Sequence, residues 1–201
     1  IRAGRDALAV LWYNVGMKTN TRACNMVIAQ SGGPSMVINQ SLVGAVLAAR
    51  ASGKIGKILG ARHGIAGILA GDYVDLRKPA RAQLEIVAGT PSSALGSVRR
   101  KPTPEDCDAI FAELKKRGVK YFFYMGGNDS AETVKIIADL AAREGRDLVC
   151  YHIPKTIDDD LRNNDHTPGY GSAAKFVAMA LQGDDLDNRA MGGVKVDVIM
   201  G

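Results

Sequence analysis

Aromatic residues, cysteines and long apolar runs are all scarce in this chain. Aromatic residues make up 5% of its 201 residues, and it has 3 cysteines. Cys24, Cys107 and Cys150 are widely spaced and form no Cys-x-x-Cys pair, which argues against a disulfide framework and a zinc cage. No apolar stretch approaches the length of a bilayer span, and the amino end lacks the pattern of a secretory signal. These absences predict a cytoplasmic protein with no membrane partner.

The charge of the chain is positive but dispersed. Its formal net charge is +5, and short basic runs such as Arg99-Arg100-Lys101 are few. Proteins that bind nucleic acids concentrate Lys and Arg on one face and add aromatic stacking residues. The scattered pattern therefore predicts no nucleic-acid partner. It favours small phosphorylated ligands, and a solvated basic surface is the alternative.

The alternation of short apolar runs with amphipathic stretches indicates an α/β protein. With 46% apolar residues, the chain is long enough for one sizeable core. Residues 1–16 are interpreted as an extension and residues 17–201 as the domain. Strands are predicted near 26–31, 57–62, 121–125, 148–153 and 194–200, and helices near 36–52, 65–70, 80–87, 104–117, 131–143 and 171–182. This order predicts a Rossmann-like three-layer αβα fold with a mostly parallel sheet covered on both faces.

A lysine and three aspartates cluster at the end of a predicted strand. Lys155, Asp158, Asp159 and Asp160 follow the apolar run 148–153. In α/β folds such strand ends bind ligands, and neighbouring carboxylates repel one another unless a cation intervenes. Mg²⁺ beside a phosphate is the usual relief. A solvated acidic loop is the alternative interpretation.

Two glycine-rich turns follow two other predicted strands. Residues 126–130 are Gly-Gly-Asn-Asp-Ser, and residues 30–35 are Gln-Ser-Gly-Gly-Pro-Ser. Glycines let backbone amides approach an anion, and Ser130 at a helix start would leave amides free to face phosphate. Plain strand-to-helix connections use the same residue types. The turn at 30–35 matches neither the Walker A pattern nor the dinucleotide fingerprint, so alone it is a weak phosphate signal.

The predicted topology brings these loops together. Because parallel strands end at one edge of a sheet, Gly33, Asp129 and Asp158 are expected to converge there. Agreement among three separate loops favours a combined phosphate and metal site over three unrelated connections.

The motifs together resemble the phosphofructokinase family from about Met26 to the last residue. They occur in the family's order, as Ser31-Gly32-Gly33, Gly96-Ser97-Val98-Arg99, Gly126-Gly127-Asn128-Asp129-Ser130, Pro154-Lys155-Thr156-Ile157-Asp158-Asp159-Asp160 and Met200-Gly201. The resemblance implies the N-terminal domain of the phosphofructokinase fold, which holds the phosphoryl donor. The family's C-terminal domain is expected to be missing from this sequence.

The resemblance also assigns roles to individual residues. Asp158 is expected to be the general base that removes the proton of the 1-hydroxyl of fructose 6-phosphate, so that this oxygen attacks the terminal phosphoryl group. Arg99 is expected to steady the transferring phosphate, and a surface cation is the alternative. The sugar is expected to contact Thr156, Ile157, Asp158, Asp160, Met200 and Gly201. The phosphoryl donor is expected at Gly32, Gly33, Gly127 and Ser130.

Two positions favour pyrophosphate over ATP as the donor. ATP-dependent relatives typically have glycine at the positions of Asp129 and Lys155. Asp129 adds bulk and negative charge where the α-phosphate of a nucleotide would lie, which should repel ATP in a partly desolvated site. Lys155 adds a cation that can hold pyrophosphate and stabilise the leaving group. The resemblance thus implies pyrophosphate-dependent phosphotransfer, with Asp158, Lys155, Asp129 and Arg99 as the catalytic residues.

Two departures from the family affect the Mg²⁺ ion that the resemblance implies. Asn128 stands where the family usually has a magnesium aspartate, so Asn128 and Asp129 are the candidate ligands in this loop. Asp158, Asp160 and the pyrophosphate oxygens are expected to assist. Asp159 replaces the family's usual asparagine, and its added negative charge should make Mg²⁺ or Lys155 more necessary.

Two other functions stay open at this point. One is an ATP-dependent 6-phosphofructokinase, and the other is a regulatory or degenerate subunit that binds phosphorylated metabolites without chemistry. The presence of both Asp158 and Lys155 argues against the second. The family further implies a homo-oligomer, a dimer or a tetramer, for the full-length protein, and little or no turnover by these 201 residues alone.

Overall fold

Five strands form one sheet in the computed structural model, which describes residues 24–155, 158–160, 163 and 165–192. The strands are β1 (Cys24–Gln30), β2 (Ile55–Ala61), β3 (Tyr73–Asp75), β4 (Val119–Gly126) and β5 (Val149–Pro154). Their spatial order is β3-β2-β1-β4-β5, and each neighbouring pair is parallel except β2 and β3. The prediction of a mostly parallel α/β sheet is confirmed.

Helices connect the strands. They are α1 (Ile38–Ala51), α2 (Ile65–Ala70), α3 (Arg81–Gly89), α4 (Pro104–Lys116), α5 (Asn128–Arg143) and α6 (Tyr170–Met191). The start of α4 shows how local sequence fixes a boundary, because Thr103 and Asp106 exchange hydrogen bonds between side chain and backbone at 3.1 and 3.2 Å. None of the helices in the described ranges is long and apolar enough to cross a membrane.

Both faces of the sheet are buried against helices. Val27 and Ala29 of β1 belong to the core formed with α2, α4 and α5. Met26 and Ile28 belong to the core on the opposite face, formed with α1 and α3. Alternate residues of one strand point to opposite faces, so this continuous apolar run is the pattern of a strand covered on both sides. The predicted three-layer arrangement is confirmed.

The structure differs from the predicted elements in three places. The short edge strand β3 was not predicted, because its few residues show no alternating pattern. Helix α5 begins at Asn128 rather than near residue 131, and α6 runs to Met191 rather than to residue 182. No residue of α6 is buried, and Phe176 is 73% exposed. The strand predicted near 194–200 lies outside the described residues.

The strand order creates a crevice between β1 and β4. The chain proceeds from β1 to β2 on one side, and later returns to pair β4 with the other side of β1. The loops that follow β1 and β4 therefore leave in different directions from neighbouring strands. In open α/β sheets, ligands bind at such a reversal, outside the carboxyl ends of the strands.

The half-buried ring of His152 on β5 predicts that the free energy of unfolding depends on pH. Its ring Nε2 lies 2.8 Å from the Gly126 carbonyl oxygen, so the ring donates there. Burial lowers the pKa of His152 below 6.5, against smaller upward effects of hydrogen bonds to Gly126 and Gly127. Because the folded pKa lies below the unfolded one, the stabilisation is complete above about pH 6.5 and is lost as the pH falls through the folded pKa.

We expect the free energy of unfolding, measured with urea, to fall between pH 7.5 and pH 5.5 partly because of His152. His152→Gln keeps an N–H donor but cannot titrate, so this variant should lose less stability between the two pH values. His166→Gln, at an exposed position, is the matched control and should keep the wild-type dependence. Equal pH dependence in wild type and His152→Gln would contradict the expectation.

Candidate functional site

One cleft of about 850 Å³ lies at the carboxyl ends of β1, β4 and β5. It is lined by every predicted site residue that the structure describes, namely Gly32, Gly33, Arg99, Gly127, Asn128, Asp129, Ser130, Lys155, Asp158 and Asp160. Thr156, Ile157, Met200 and Gly201 lie outside the described residues. The expected convergence of the three loops is therefore present in the fold.

The turn after β1 is held by backbone hydrogen bonds to two other segments. The Ser31 amide donates to the Met125 carbonyl oxygen at 2.8 Å, and the Gly32 amide donates to the Val98 carbonyl oxygen at 3.2 Å. The Ser97 hydroxyl donates to the Gly32 carbonyl oxygen. Gly32 has φ of +77°, which disfavours any residue with a Cβ. These bonds fix the conformation of the turn, and Gly32 and Gly33 line the cleft.

Lys155 reaches across the cleft to the same turn. Its side chain is buried, and its ammonium donates to the Gly33 carbonyl oxygen. Its own backbone amide donates to the Gly126 carbonyl oxygen at 2.9 Å, which ties the loop after β5 to the end of β4. Burial lowers the pKa of Lys155, the charge of Asp158 raises it, and the charge of Arg99 lowers it. An anion bound here would offset the cost of burying this cation.

Arg99 is the second cation at Gly33. A Cβ built on Gly33 would lie 3.6 Å from the Arg99 Nη2 atom, so the guanidinium lies directly over this residue. The same charge acts on Lys155 in the opposite sense to that of Asp158. Two like charges converge on one glycine, and this arrangement is favourable when an anion lies between them.

The junction between β4 and α5 has no room for a side chain. A Cβ on Gly126 would lie 2.0 Å from the Ser130 Oγ atom. Ser130 is 2% exposed, and its amide donates to the Gly127 carbonyl oxygen at 3.1 Å. The expectation that Ser130 begins the helix is therefore corrected. Helix α5 starts at Asn128, and the amides without helical acceptors come earlier in its first turn.

Asn128 joins two of the loops. Its Nδ2 atom donates to the Asp160 Oδ2 atom at 2.6 Å. A neutral amide next to a carboxylate removes the repulsion that an aspartate at residue 128 would create with Asp160. Asn128 therefore positions a carboxylate of the neighbouring loop, a contact that the sequence pattern did not predict.

Asp129 has a cationic partner that the sequence interpretation missed. Lys101 Nζ lies 3.2 Å from Asp129 Oδ1 and 2.7 Å from Glu132 Oε2. Hydrogen bonds to Glu132 and then to Asp129 raise the pKa of Lys101. The Asp129 side chain is 84% exposed, so water and Lys101 both screen its charge. The expected partly desolvated, unrelieved carboxylate is corrected to an exposed and paired one.

Asp159 has a structural contact instead of the expected role in the site's charge. It has φ of +57°, and its Oδ1 accepts the Thr167 amide at 2.7 Å. It does not line the cleft, whereas Asp158 and Asp160 on either side do. Aspartate and asparagine tolerate the left-handed conformation better than other residues with side chains. The expectation that Asp159 adds charge to the site is therefore corrected.

Comparison with known proteins identifies a family. The model of the family described as Phosphofructokinase matches residues 25–201. The pyrophosphate–fructose 6-phosphate 1-phosphotransferase of Rhodospirillum rubrum is 53% identical over 176 residues, covering 88% of this chain and 44% of that protein. The protein of the same name from Xanthomonas campestris pv. campestris is 40% identical over 181 residues, covering 88% of this chain and 43% of that protein.

A solved structure has the same fold. The pyrophosphate-dependent phosphofructokinase of Nitrosospira multiformis superimposes with a TM-score of 0.82 at 38% identity, covering 87% of this chain and 44% of that chain. The sequence thus spans about 44% of the length of relatives it matches. Since the family model extends from residue 25 to residue 201, across the loops that form the cleft, this chain belongs to the phosphofructokinase family.

Proposed function

We propose that this chain is the phosphoryl-donor domain of a pyrophosphate-dependent 6-phosphofructokinase. The observation that carries the proposal is the convergence of Lys155 and Arg99 on Gly33, where a small, highly charged anion would fit between them. The names of the relatives from Rhodospirillum rubrum and Xanthomonas campestris support this donor and fructose 6-phosphate as its partner substrate. Dimer or tetramer formation by the complete protein stays a prediction.

The proposed reaction moves one phosphoryl group between two oxygens. Asp158 accepts the proton of the sugar 1-hydroxyl, and this oxygen attacks the terminal phosphorus of pyrophosphate. The bond from that phosphorus to the bridging oxygen breaks, and phosphate leaves with its charge stabilised by Lys155 and Arg99. The reverse reaction, in which phosphate attacks the phosphorus of the sugar 1-phosphate, passes through the same transition state, so the same groups serve it.

The carboxylates of the cleft suit a Mg²⁺ ion that is bound jointly with pyrophosphate. Asp158 and Asp160 both line the cleft, whereas no three His, Cys, Asp or Glu side chains form a metal-binding group within the described ranges. Mg²⁺ is commonly bound by one or two carboxylates together with substrate phosphates, so one aspartate is sufficient and Asp158 stays available as the base. We propose Asp160 as the ligand in preference to Asp129, which Lys101 engages. The ion would neutralise phosphate charge.

The role of Asp158 can be tested against its neighbour, using the protein expressed from its complete coding sequence. Asp158→Asn removes the base, so kcat for pyrophosphate-dependent formation of fructose 1,6-bisphosphate should fall by about 10²- to 10⁴-fold. Asp159→Asn is the matched control, because asparagine keeps both the left-handed conformation and the acceptor for the Thr167 amide. It should leave kcat near wild type.

A third variant separates the backbone role of Asp159 from its charge. Asp159→Ala loses the acceptor and strains the turn, so it should lower kcat although it resembles Asp159→Asn in charge. The proposed assignment of the base would be wrong if Asp158→Asn and Asp159→Asn had equal effects on kcat.

Donor choice can be tested by measuring kcat/KM for pyrophosphate and for ATP with the same protein. Lys155→Gly should lower kcat/KM for pyrophosphate by about 10²-fold or more, because a cation at the leaving group is lost. Asp129→Gly should raise the ATP to pyrophosphate ratio of kcat/KM by roughly tenfold, the size of one moderate interaction.

Asp129→Asn distinguishes bulk from charge at this position. Since Lys101 and water screen the carboxylate, we expect Asp129→Asn to change the donor ratio much less than Asp129→Gly does. If both variants changed the donor ratio equally, the negative charge of Asp129, rather than its bulk, would be the main cause of donor selection. No change in either variant would remove Asp129 from donor selection.

A further inference from the structure

A pair of buried amides holds the segment that carries Arg99. Gln30 is the last residue of β1 and is 0% exposed, and Asn39 in the first turn of α1 is 1% exposed. The Gln30 Nε2 atom donates to Asn39 Oδ1 at 2.9 Å. Neither side chain lines the cleft. They are polar groups in the apolar layer between β1 and α1, and such groups are kept only when fully hydrogen-bonded.

The other hydrogen bonds of both side-chain amides are all made to one stretch of chain, residues 90–95. Gln30 Oε1 accepts from the Leu95 amide at 2.8 Å and from the Ser93 hydroxyl at 2.9 Å. Asn39 Oδ1 accepts from the Ala94 amide at 2.9 Å, and Asn39 Nδ2 donates to the Thr90 carbonyl oxygen at 2.9 Å. This stretch has no helix or strand of its own, so these four bonds contribute much of what holds it in place, together with backbone bonds from Ser92 to Ser35 and from His63 to Leu95.

The same stretch continues directly into the cleft. The Ser97 hydroxyl donates to the Gly32 carbonyl oxygen, and the Val98 carbonyl oxygen accepts from the Gly32 amide. Arg99 follows at once and lies over Gly33. Gln30 itself immediately precedes this glycine turn. The amide pair therefore ties the two segments that contain the Gly33 carbonyl and the Arg99 guanidinium to one buried point.

We infer that Gln30 and Asn39 are positioning residues that act through Arg99, and this inference rests on the proposed function. Reactions that depend on placing charged groups lose about 10²-fold when a group moves by about 1 Å. Loss of the amide pair removes four of the hydrogen bonds that hold residues 90–95 and lets the guanidinium drift from the transferring phosphate.

The decisive experiment is a double-mutant cycle between Gln30→Met and Arg99→Ala in the protein expressed from its complete coding sequence. Gln30→Met replaces the amide by an apolar group of similar size and should lower kcat/KM for pyrophosphate by about 10- to 100-fold. In the Arg99→Ala background the same change should alter kcat/KM by no more than about twofold, because the group it positions is already absent.

Asn25→Leu is the matched control, since Asn25 lies in the same strand and also binds backbone through its amide. Its Nδ2 donates to the Arg117 carbonyl oxygen at 2.6 Å, and its Oδ1 accepts from the Lys57 amide at 2.8 Å. This variant should lower the thermal midpoint while leaving kcat/KM within about twofold of wild type. Should Gln30→Met fail to fold, Ser93→Ala removes the hydroxyl that contacts Gln30 Oε1 and the Gly96 carbonyl oxygen, and it should lower kcat/KM roughly 2- to 10-fold.

Hydrogen exchange gives a readout that needs no turnover. The Ala94 and Leu95 amides donate to the buried pair, so exchange over residues 94–99 should accelerate in Gln30→Met and stay unchanged in Asn25→Leu. Unchanged exchange in Gln30→Met would overturn the inference. The inference would also be overturned if the fall in kcat/KM of the double variant equalled the product of the falls in Gln30→Met and Arg99→Ala. A harmless Arg99→Ala would instead contradict the proposed function, because it removes a cation that the proposal requires.

Discussion

The hydrogen bond from the Lys155 ammonium to the Gly33 carbonyl oxygen is the contact around which the cleft is organised. It connects the loop after β5 with the turn after β1, while the amide of the same lysine holds the end of β4. One residue thus fixes the three strand ends relative to one another. Burying the Lys155 ammonium in purely apolar surroundings would be unfavourable. The negative charge of the neighbouring Asp158 offsets part of this cost.

The charges of the site are arranged in separate pairs rather than as a cluster of aspartates. Asp129 is engaged by Lys101, Asp160 by the Asn128 amide, and Asp159 by the Thr167 amide. Each of these three carboxylates therefore has a local partner, which reduces the repulsion that their closeness in sequence suggests. The two charged groups that contact Gly33, those of Lys155 and Arg99, are both positive. This local excess of positive charge is the physical basis for binding a small polyanion.

Periodic features of the sequence predicted most of the sheet and the meeting of the loops, because buried parallel strands are continuous apolar runs and their ends share an edge. Features without a period were missed. Lys101 belongs to a short basic run that looks like ordinary surface, and a pair such as Gln30 and Asn39 is defined only by its three-dimensional partners. The left-handed turn at Asp159 is likewise invisible in residue type, since aspartate is common in loops of every kind.

The residues of the cleft fall into two groups, buried ones that hold the fold and exposed ones that can be substituted. Its anchors, such as the Gly126 contact with Ser130 and the buried amides, lie beneath the loops, whereas Asp129 stands in the first turn of α5 with a side chain that is 84% exposed. Substitutions at exposed positions usually cost a fold little. A substitution at Asp129 can therefore alter what the cleft accepts at little cost to the stability of the domain that carries it.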